Sequence, residues 1–247
     1  MTNGVFPARA GSRLGVALLP SKTGVPGVFQ EVAELLEREG FLVAAPDMPW
    51  SRSRYLDATL EAALEEIAVT LQALQAKGAP LVVLGGHSMG AVAALAYAAA
   101  RGGVAGLIMS APGHFPDYPG FHRDLGDSLA RALKMVKTGR GHETGQFLDR
   151  IMGRISLRAI KARVYVSFFS PEGPMAPGRN AARLSPDIPV LCLLGSNDPL
   201  SPRAREHVLA RLPFNPLSRV LTITGEHMEV PGAAQGEILA WLKTLPQ

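Results

Sequence analysis

The sequence predicts an α/β fold built on a mostly parallel sheet of about six strands with helices against its faces. Three observations predict it. Short apolar runs of β-type residues alternate with longer amphipathic segments, the pattern of successive strand–helix–strand units. A chain of 247 residues is of a size at which such a sheet forms one domain rather than two. A composition that is 47% hydrophobic and 19% charged supplies a core and excludes a mainly disordered chain.

In chain order, the first strand is expected at Leu14–Leu19. A turn-rich segment, Pro20–Pro26, separates it from a helix near Val28–Arg38 that Gly40 stops. The second strand is Phe41–Ala45. After Pro46-Asp47-Met48-Pro49-Trp50 comes a long amphipathic helix, Leu56–Ala76, with Leu60, Leu64, Ile67, Leu71 and Leu74 at helical spacing; Gly78 and Pro80 end it. The third strand, Leu81–Leu84, runs into Gly85-Gly86-His87-Ser88-Met89-Gly90 and then the Ala-rich helix Ala91–Arg101. Val104–Ser110, Val190–Gly195 and Val220–Ile223 are the remaining strands, and helices near Pro202–Leu212 and Pro231–Leu245 flank the last of them. There is no internal repeat.

Roughly 75 residues separate the fourth and fifth strands, a gap that marks a functional insertion more often than a plain connection. Helical patterns are expected there at Phe121–Lys137, Thr144–Gly153 and Leu157–Val166, followed by a Pro/Gly-rich stretch from Ser170 to Pro189. The insertion is also basic. Residues 111–180 hold 11 Lys/Arg against 6 Asp/Glu, a balance of +5 in a chain whose net charge is +4.

Gly86-His87-Ser88-Met89-Gly90 fits G-x-S-x-G, in which a serine occupies a strained turn between a strand and a helix. The strain brings strand end and helix start so close that glycine is favoured on both sides of the serine. It also exposes the hydroxyl at a helix N-terminus, where free backbone N–H groups can meet a developing oxyanion, Met89 N–H first. His87 points elsewhere on the turn and is expected to be structural.

A serine hydroxyl is a weak nucleophile near neutral pH and needs a base, itself oriented by an acid. His227, in Gly225-Glu226-His227-Met228-Glu229, follows the last strand and so reaches the carboxyl edge of the sheet with Ser88. In isolation it would read as a solvated loop histidine; its position makes it the candidate base. Asp198, in Gly195-Ser196-Asn197-Asp198-Pro199, follows the fifth strand to the same edge and is the candidate acid. Asp-Pro is also a common turn, and Glu226, Glu229 and Asp187 are substitutes.

Together, Ala45-Pro46-Asp47-Met48-Pro49, Gly86-His87-Ser88-Met89-Gly90, Gly195-Ser196-Asn197-Asp198-Pro199 and Gly225-Glu226-His227 resemble the successive motifs of the α/β-hydrolase family. The resemblance covers most of the chain outside residues 111–185. It implies a core of residues 1–110 and 186–247, with 111–185 as a helical cap that covers the serine and sets substrate choice. Leu14–Leu19 would be the third strand of the family's sheet, so the two leading antiparallel strands are expected to be reduced or missing.

The resemblance further implies that a second oxyanion donor stands in the loop after the first strand. By position it is the Lys22 N–H, with Ser21 the alternative; the His-Gly frequent in the family is replaced by Leu19-Pro20-Ser21-Lys22-Thr23-Gly24. The Lys22 side chain is expected to face water. Trp50-Ser51-Arg52-Ser53-Arg54 stands where many relatives have a Gly-rich turn, so Trp50 is either a wall of the substrate site or a packed core residue. His114 is a candidate substrate contact at the opening of the insertion, and His122 a lid or surface residue.

Phe115, Tyr118, Phe121, Leu125 and other apolar residues accompany the basic surplus of the insertion. One reading is a greasy pocket with a basic rim, suited to an ester or thioester with an anionic distal group. The other is a solvated helix surface.

Other classes find little support. No recognised motif interleaves aromatic with basic residues, which argues against a nucleic-acid partner. There is no metal-ligand spacing and no nucleotide fingerprint after the first strand, so no metal or cofactor is expected. The lone Cys192 sits in a strand-like apolar run and reads as an inert hydrophobe in a reducing compartment. Met1–Gly11 lacks the apolar stretch of a signal peptide and no run is long enough to span a membrane, so a cytoplasmic protein is expected. The expected function is hydrolysis of a carboxylic ester or thioester through an acyl-serine. The alternatives are acyl transfer, perhydrolysis or C–C bond hydrolysis by the same residues, and a non-catalytic binding protein on the same fold. Oligomeric state is not legible.

Overall fold

The computed structural model describes residues 14–151 and 153–246. The expectation for Met1–Gly11, and the segment where two leading strands would stand, lie outside these residues. Among the described residues eight strands follow in chain order: β1 (Leu14–Leu19), β2 (Leu42–Ala44), β3 (Leu81–His87), β4 (Gly106–Ser110), β5 (Thr144–Ile151), β6 (Arg154–Lys161), β7 (Val190–Gly195) and β8 (Arg219–Ile223). Six form one sheet in the order β2-β1-β3-β4-β7-β8, with every neighbouring pair parallel.

Helices cover both faces of this sheet, and the period-2 alternation of the strands divides the core between them. Leu14, Val16 and Leu18 of β1 pack with Val32 and Leu36 of α1 (Gln30–Arg38) and with Ile238 and Trp241 near the C-terminus. Ala17 and Leu19 point the other way. They join Leu64, Ile67 and Leu71 of α2 (Leu60–Ala76) and the small-residue face of α3 (Met89–Arg101). α2 starts at Leu60 rather than Leu56 because Tyr55 and Leu56 have φ of +39° and +57°, outside the right-handed helix. Thr59 caps it, accepting from Ala62 N–H at 3.4 Å.

Because the sheet is parallel, the loops after β1, β3, β4, β7 and β8 all emerge at one edge. The insertion between β4 and β7 lies over that edge. It is continuous with the core, since Leu129 of α4 (Gly126–Lys137), Phe147 of β5 and Tyr165 and Phe168 of α5 (Ala162–Phe169) share one apolar cluster with α2 and α3. α6 (Pro177–Arg183) then leads back towards β7.

The insertion corrects the expected helices at Thr144–Gly153 and Leu157–Val166. Residues 144–151 and 154–161 form an antiparallel hairpin, pairing Leu148 with Leu157 and Arg150 with Ile155. Gly153, with φ +76°, makes its turn. Only Ala162 onward is helical, as α5. The apolar spacing Phe147, Leu148, Ile151 imitates a helix because the strand alternation is broken at one place: the inward residue after Phe147 is Asp149. The outward face carries Ile155 and Leu157, which are exposed.

Candidate active site

Ser88 occupies the turn between β3 and α3 with φ +55° and ψ −117°, a conformation that side-chain-bearing residues rarely hold. The turn demands its flanking glycines. A Cβ on Gly86 would stand 2.3 Å from the Gly90 backbone, and one on Gly90 2.5 Å from the carbonyl oxygens of Leu19 and Pro20. Ser88 N–H donates to Ser110 O at 2.9 Å, which fixes the turn to the end of β4.

The structure brings Ser88, His227 and Asp198 together. His227 Nε2 lies 2.9 Å from Ser88 Oγ, and His227 Nδ1 lies 2.7 Å from Asp198 Oδ2. A carboxylate can only accept, so Nδ1 carries the proton and Nε2 is left to accept the Ser88 hydroxyl. Asp198 is almost fully buried, and its other oxygen accepts Leu200 N–H at 2.9 Å. Two of the substitutes are engaged elsewhere: Glu229 accepts Glu226 N–H at 2.8 Å, and Asp187 accepts the Ser185 hydroxyl at 3.3 Å. Such a relay can draw a proton from Ser88 and return it to a leaving group.

His87 is buried and its Nδ1–H donates to Ser110 O at 3.1 Å, a structural contact. Sequence reasoning missed Gly113, in the loop after β4. A Cβ there would sit 2.9 Å from Ser88 Oγ and 3.1 Å from Leu200 Cδ1. The signal in the sequence was Pro112-Gly113 directly after a strand whose edge holds the serine, a place where backbone passes close to a site.

Two candidate oxyanion donors lie near each other. Met89 is the first residue of α3, so the helix cannot satisfy its N–H. The start of α3 abuts the loop after β1, as the contacts of Gly90 show. In that loop Thr23 N–H donates to Trp50 O and Gly24 N–H to Ser21 O, whereas Ser21 and Lys22 N–H donate to no hydrogen bond among the described residues.

The structure corrects one expectation, for Lys22, and decides between the alternatives left for Trp50. The Lys22 side chain does not face water; it is buried and paired with Asp149 of β5. Trp50 is fully buried, with its ring centroid 6.2 Å from that of Phe168 and its indole N–H donating to Pro20 O at 2.8 Å. It is therefore a prop beneath the β1 loop, not a wall for substrate. His114 and His122 are partly buried within the insertion, and each ring Nε2 meets a backbone carbonyl, Phe168 O at 2.7 Å and Pro116 O at 2.9 Å. Burial, with Lys22 adding to it, lowers the His114 pKa to about 3, so the ring is neutral.

A family model described as the alpha/beta hydrolase family matches residues 21–234. The chain belongs to the alpha/beta hydrolase family. Among solved structures this alpha/beta hydrolase is similar to a monoacylglycerol lipase of Paleococcus ferrophilus at 22% identity and TM-score 0.68, covering 98% of this chain and 99% of the other. It is similar to a thermostable carboxyl esterase of Bacillus coagulans at 14% identity and TM-score 0.70, covering 98% and 93%. It is also similar to a thioesterase domain from the curacin biosynthetic pathway at 16% identity and TM-score 0.61, covering 96% and 93%. At such identities the likeness is one of fold. No curated protein matches the sequence. Among the described residues, no helix of this hydrolase is long and apolar enough to cross a membrane.

Proposed function

We propose that the protein hydrolyses a carboxylic ester or thioester through an acyl-serine intermediate, with Ser88 as nucleophile, His227 as base and Asp198 as orienting acid. The observation that carries this is the unbroken relay of 2.9 Å and 2.7 Å hydrogen bonds from Ser88 through His227 to Asp198, with Ser88 on a strained turn. The contact between Ser88 and His227 also weighs against a non-catalytic binding protein.

In the reaction, Ser88 Oγ attacks the carbonyl carbon as its proton passes to His227 Nε2. Asp198 steadies the imidazolium through Nδ1–H. The oxyanion is held by Met89 N–H and by the amide of Lys22 or Ser21. His227 then protonates the leaving alkoxide or thiolate, and water, deprotonated by the same ring, releases the acid. Residues 111–185 act as the cap that selects the substrate, with His114, next to Gly113, as a neutral group at the acyl end. A cytoplasmic setting suits the single reduced and buried Cys192, whose thiol pKa burial pushes up to about 12.

The basic balance of the insertion favours a substrate with an anionic distal group. A cleft of about 310 Å³ at the seam between insertion and core is lined by Tyr118, Arg123, Asp124, Arg150 and Arg203. Asp124 pairs with Arg150. Arg123 and Arg203 have no carboxylate partner among the described residues, and Arg203 stands 5.5 Å over the Tyr118 ring.

The test is turnover of a short p-nitrophenyl ester by purified protein, before and after Ser88→Ala, with a fluorophosphonate probe as a second readout. Activity lost in the variant, with labelling on Ser88 alone, is expected. Activity unchanged in Ser88→Ala would sink the assignment.

A further inference from the structure

Asp149 stands on β5 with its carboxylate turned inward and fully buried, where an unpaired charge would be too costly to keep. Both of its oxygens are taken. Both partners come from the sheet domain, not from the insertion that carries Asp149. Lys22 Nζ, in the loop after β1, donates to Oδ1. The Tyr55 hydroxyl, in the loop after β2, donates to Oδ2 at 2.6 Å. The insertion closes over these partners as well: Lys22 Nζ lies 4.9 Å from the centroid of the Phe169 ring of α5, and the Arg158 guanidinium of β6 stands 5.3 Å over the Tyr55 ring. Burial pulls the Lys22 ammonium below the ordinary lysine range while Asp149 pulls it back, so the two groups depend on each other.

The loop that carries Lys22 is also the loop of the second oxyanion donor. It is fastened in two directions. Towards the neighbouring loop of the sheet domain, Trp50 Nε1 donates to Pro20 O at 2.8 Å, Thr23 N–H to Trp50 O at 2.8 Å and Arg52 N–H to Gly24 O at 3.0 Å. Towards the insertion, the Lys22 side chain makes the grip on Asp149. The free amides of Ser21 and Lys22 lie between these two sets of fastenings.

We infer that Asp149, backed by Tyr55, is a positioning residue: by gripping Lys22 it sets the Ser21–Lys22 backbone opposite Met89 N–H, so that docking of the hairpin and assembly of the oxyanion hole are one event. This rests on the hydrolase reading above. The plainer possibility is that the ion pair only fastens the insertion, and the two differ in what happens to turnover once the charges are gone.

Lys22→Met combined with Asp149→Leu removes the grip without stranding a buried charge and keeps the backbone amides, so the protein is expected to fold and melt close to the wild type. On p-nitrophenyl acetate its kcat is expected to fall by about tenfold or more with KM within about twofold, a loss confined to the transition state. Amide hydrogen exchange at Thr23 and Gly24, whose N–H groups donate to Trp50 O and Ser21 O, is expected to quicken. A folded double variant with wild-type kcat and wild-type exchange overturns the inference. If that variant does not fold, Tyr55→Phe decides, since it removes only one hydroxyl: a several-fold lower kcat at unchanged KM supports the positioning role, and an unchanged kcat overturns it. Exchange reads the grip without turnover. A wild-type protein that cleaves neither esters nor thioesters therefore defeats the hydrolase reading, while the exchange comparison still decides whether Asp149 holds the loop.

Discussion

The imidazoles of His87 and His227 lie 5.0 Å apart, centroid to centroid, yet of the two only His227 is hydrogen-bonded to Ser88 and Asp198. His87 is fully buried, and its Nε2 meets no polar partner. Burial, reinforced by the nearby His227, lowers its pKa to about 3. The consequence serves the site. In the proposed reaction a second imidazolium at this distance would oppose the charge that His227 takes up when Ser88 attacks, and a ring that stays neutral removes that competitor.

The same neutrality makes stability depend on pH. Unfolded, His87 takes a proton near pH 6.5, whereas folded it resists down to about 3. Between these values the unfolded chain binds more protons, so this contribution is complete above about pH 6.5 and is lost as pH falls. The slope is about 1.4 kcal/mol per pH unit for one such group, and His114, shifted in the same direction, adds to it. His87→Asn keeps an N–H for Ser110 O and is expected to flatten the dependence. Denaturant unfolding at about pH 7 and about pH 5 checks this; an equal slope in both proteins would refute it.

Gly113→Ala is expected to cost activity out of proportion to stability. The added methyl would press on Ser88 Oγ at 2.9 Å and on the Leu200 side chain at 3.1 Å. Misplacing a reacting group by about 1 Å can cost on the order of 10²-fold in rate. Fluorophosphonate labelling of Ser88 should slow in parallel with ester turnover while the melting temperature moves by only a few degrees.

Asp198→Asn keeps the shape of the acid but can donate to His227 Nδ1, which favours the wrong tautomer. The same change in a Ser-His-Asp protease lowers kcat by about 10⁴. A comparable fall is expected here, with KM little changed. Retention of more than about a tenth of the wild-type kcat would transfer the acid role to another carboxylate.

Much of this was legible in the sequence, for reasons that can be named. The inner runs β1, β4 and β7 are buried at every residue and read as continuous apolar segments, and Val190–Gly195 is legible to the residue. Ser88, Asp198 and His227 were legible because each follows a strand of a parallel sheet, where topology alone delivers them to one edge. The hairpin was not. A buried charge at Asp149 broke the alternation that would have marked a strand, and its partners Lys22 and Tyr55 lie 127 and 94 residues away. Lys22 was assigned to water on the same ground: nothing local shows that a distant carboxylate will bury it. Gly113 escaped because a close approach between loops leaves no periodic trace.

The seam cleft gives the sharpest test of substrate class. Asp124 neutralises Arg150, so the positive charge of the cleft rests on Arg123 and Arg203, both exposed and free to meet a ligand. Arg203 lies one helical turn, about 5 Å, beyond Leu200, which borders Gly113 and so the Ser88 hydroxyl. An anionic group held there would belong to the far end of a molecule whose ester lies at Ser88. Charge-assisted hydrogen bonds to arginine contribute about 1.5–3 kcal/mol, or roughly 10- to 100-fold in binding. Arg123→Glu with Arg203→Glu is therefore expected to raise KM about tenfold or more for an ester ending in a carboxylate. The neutral ester of the same length should be unaffected. Added salt should narrow the wild-type difference between the two substrates, since exposed charges are screened. An equal response of both esters to the substitutions would make the cleft a solvated surface and leave the distal group of the substrate uncharged.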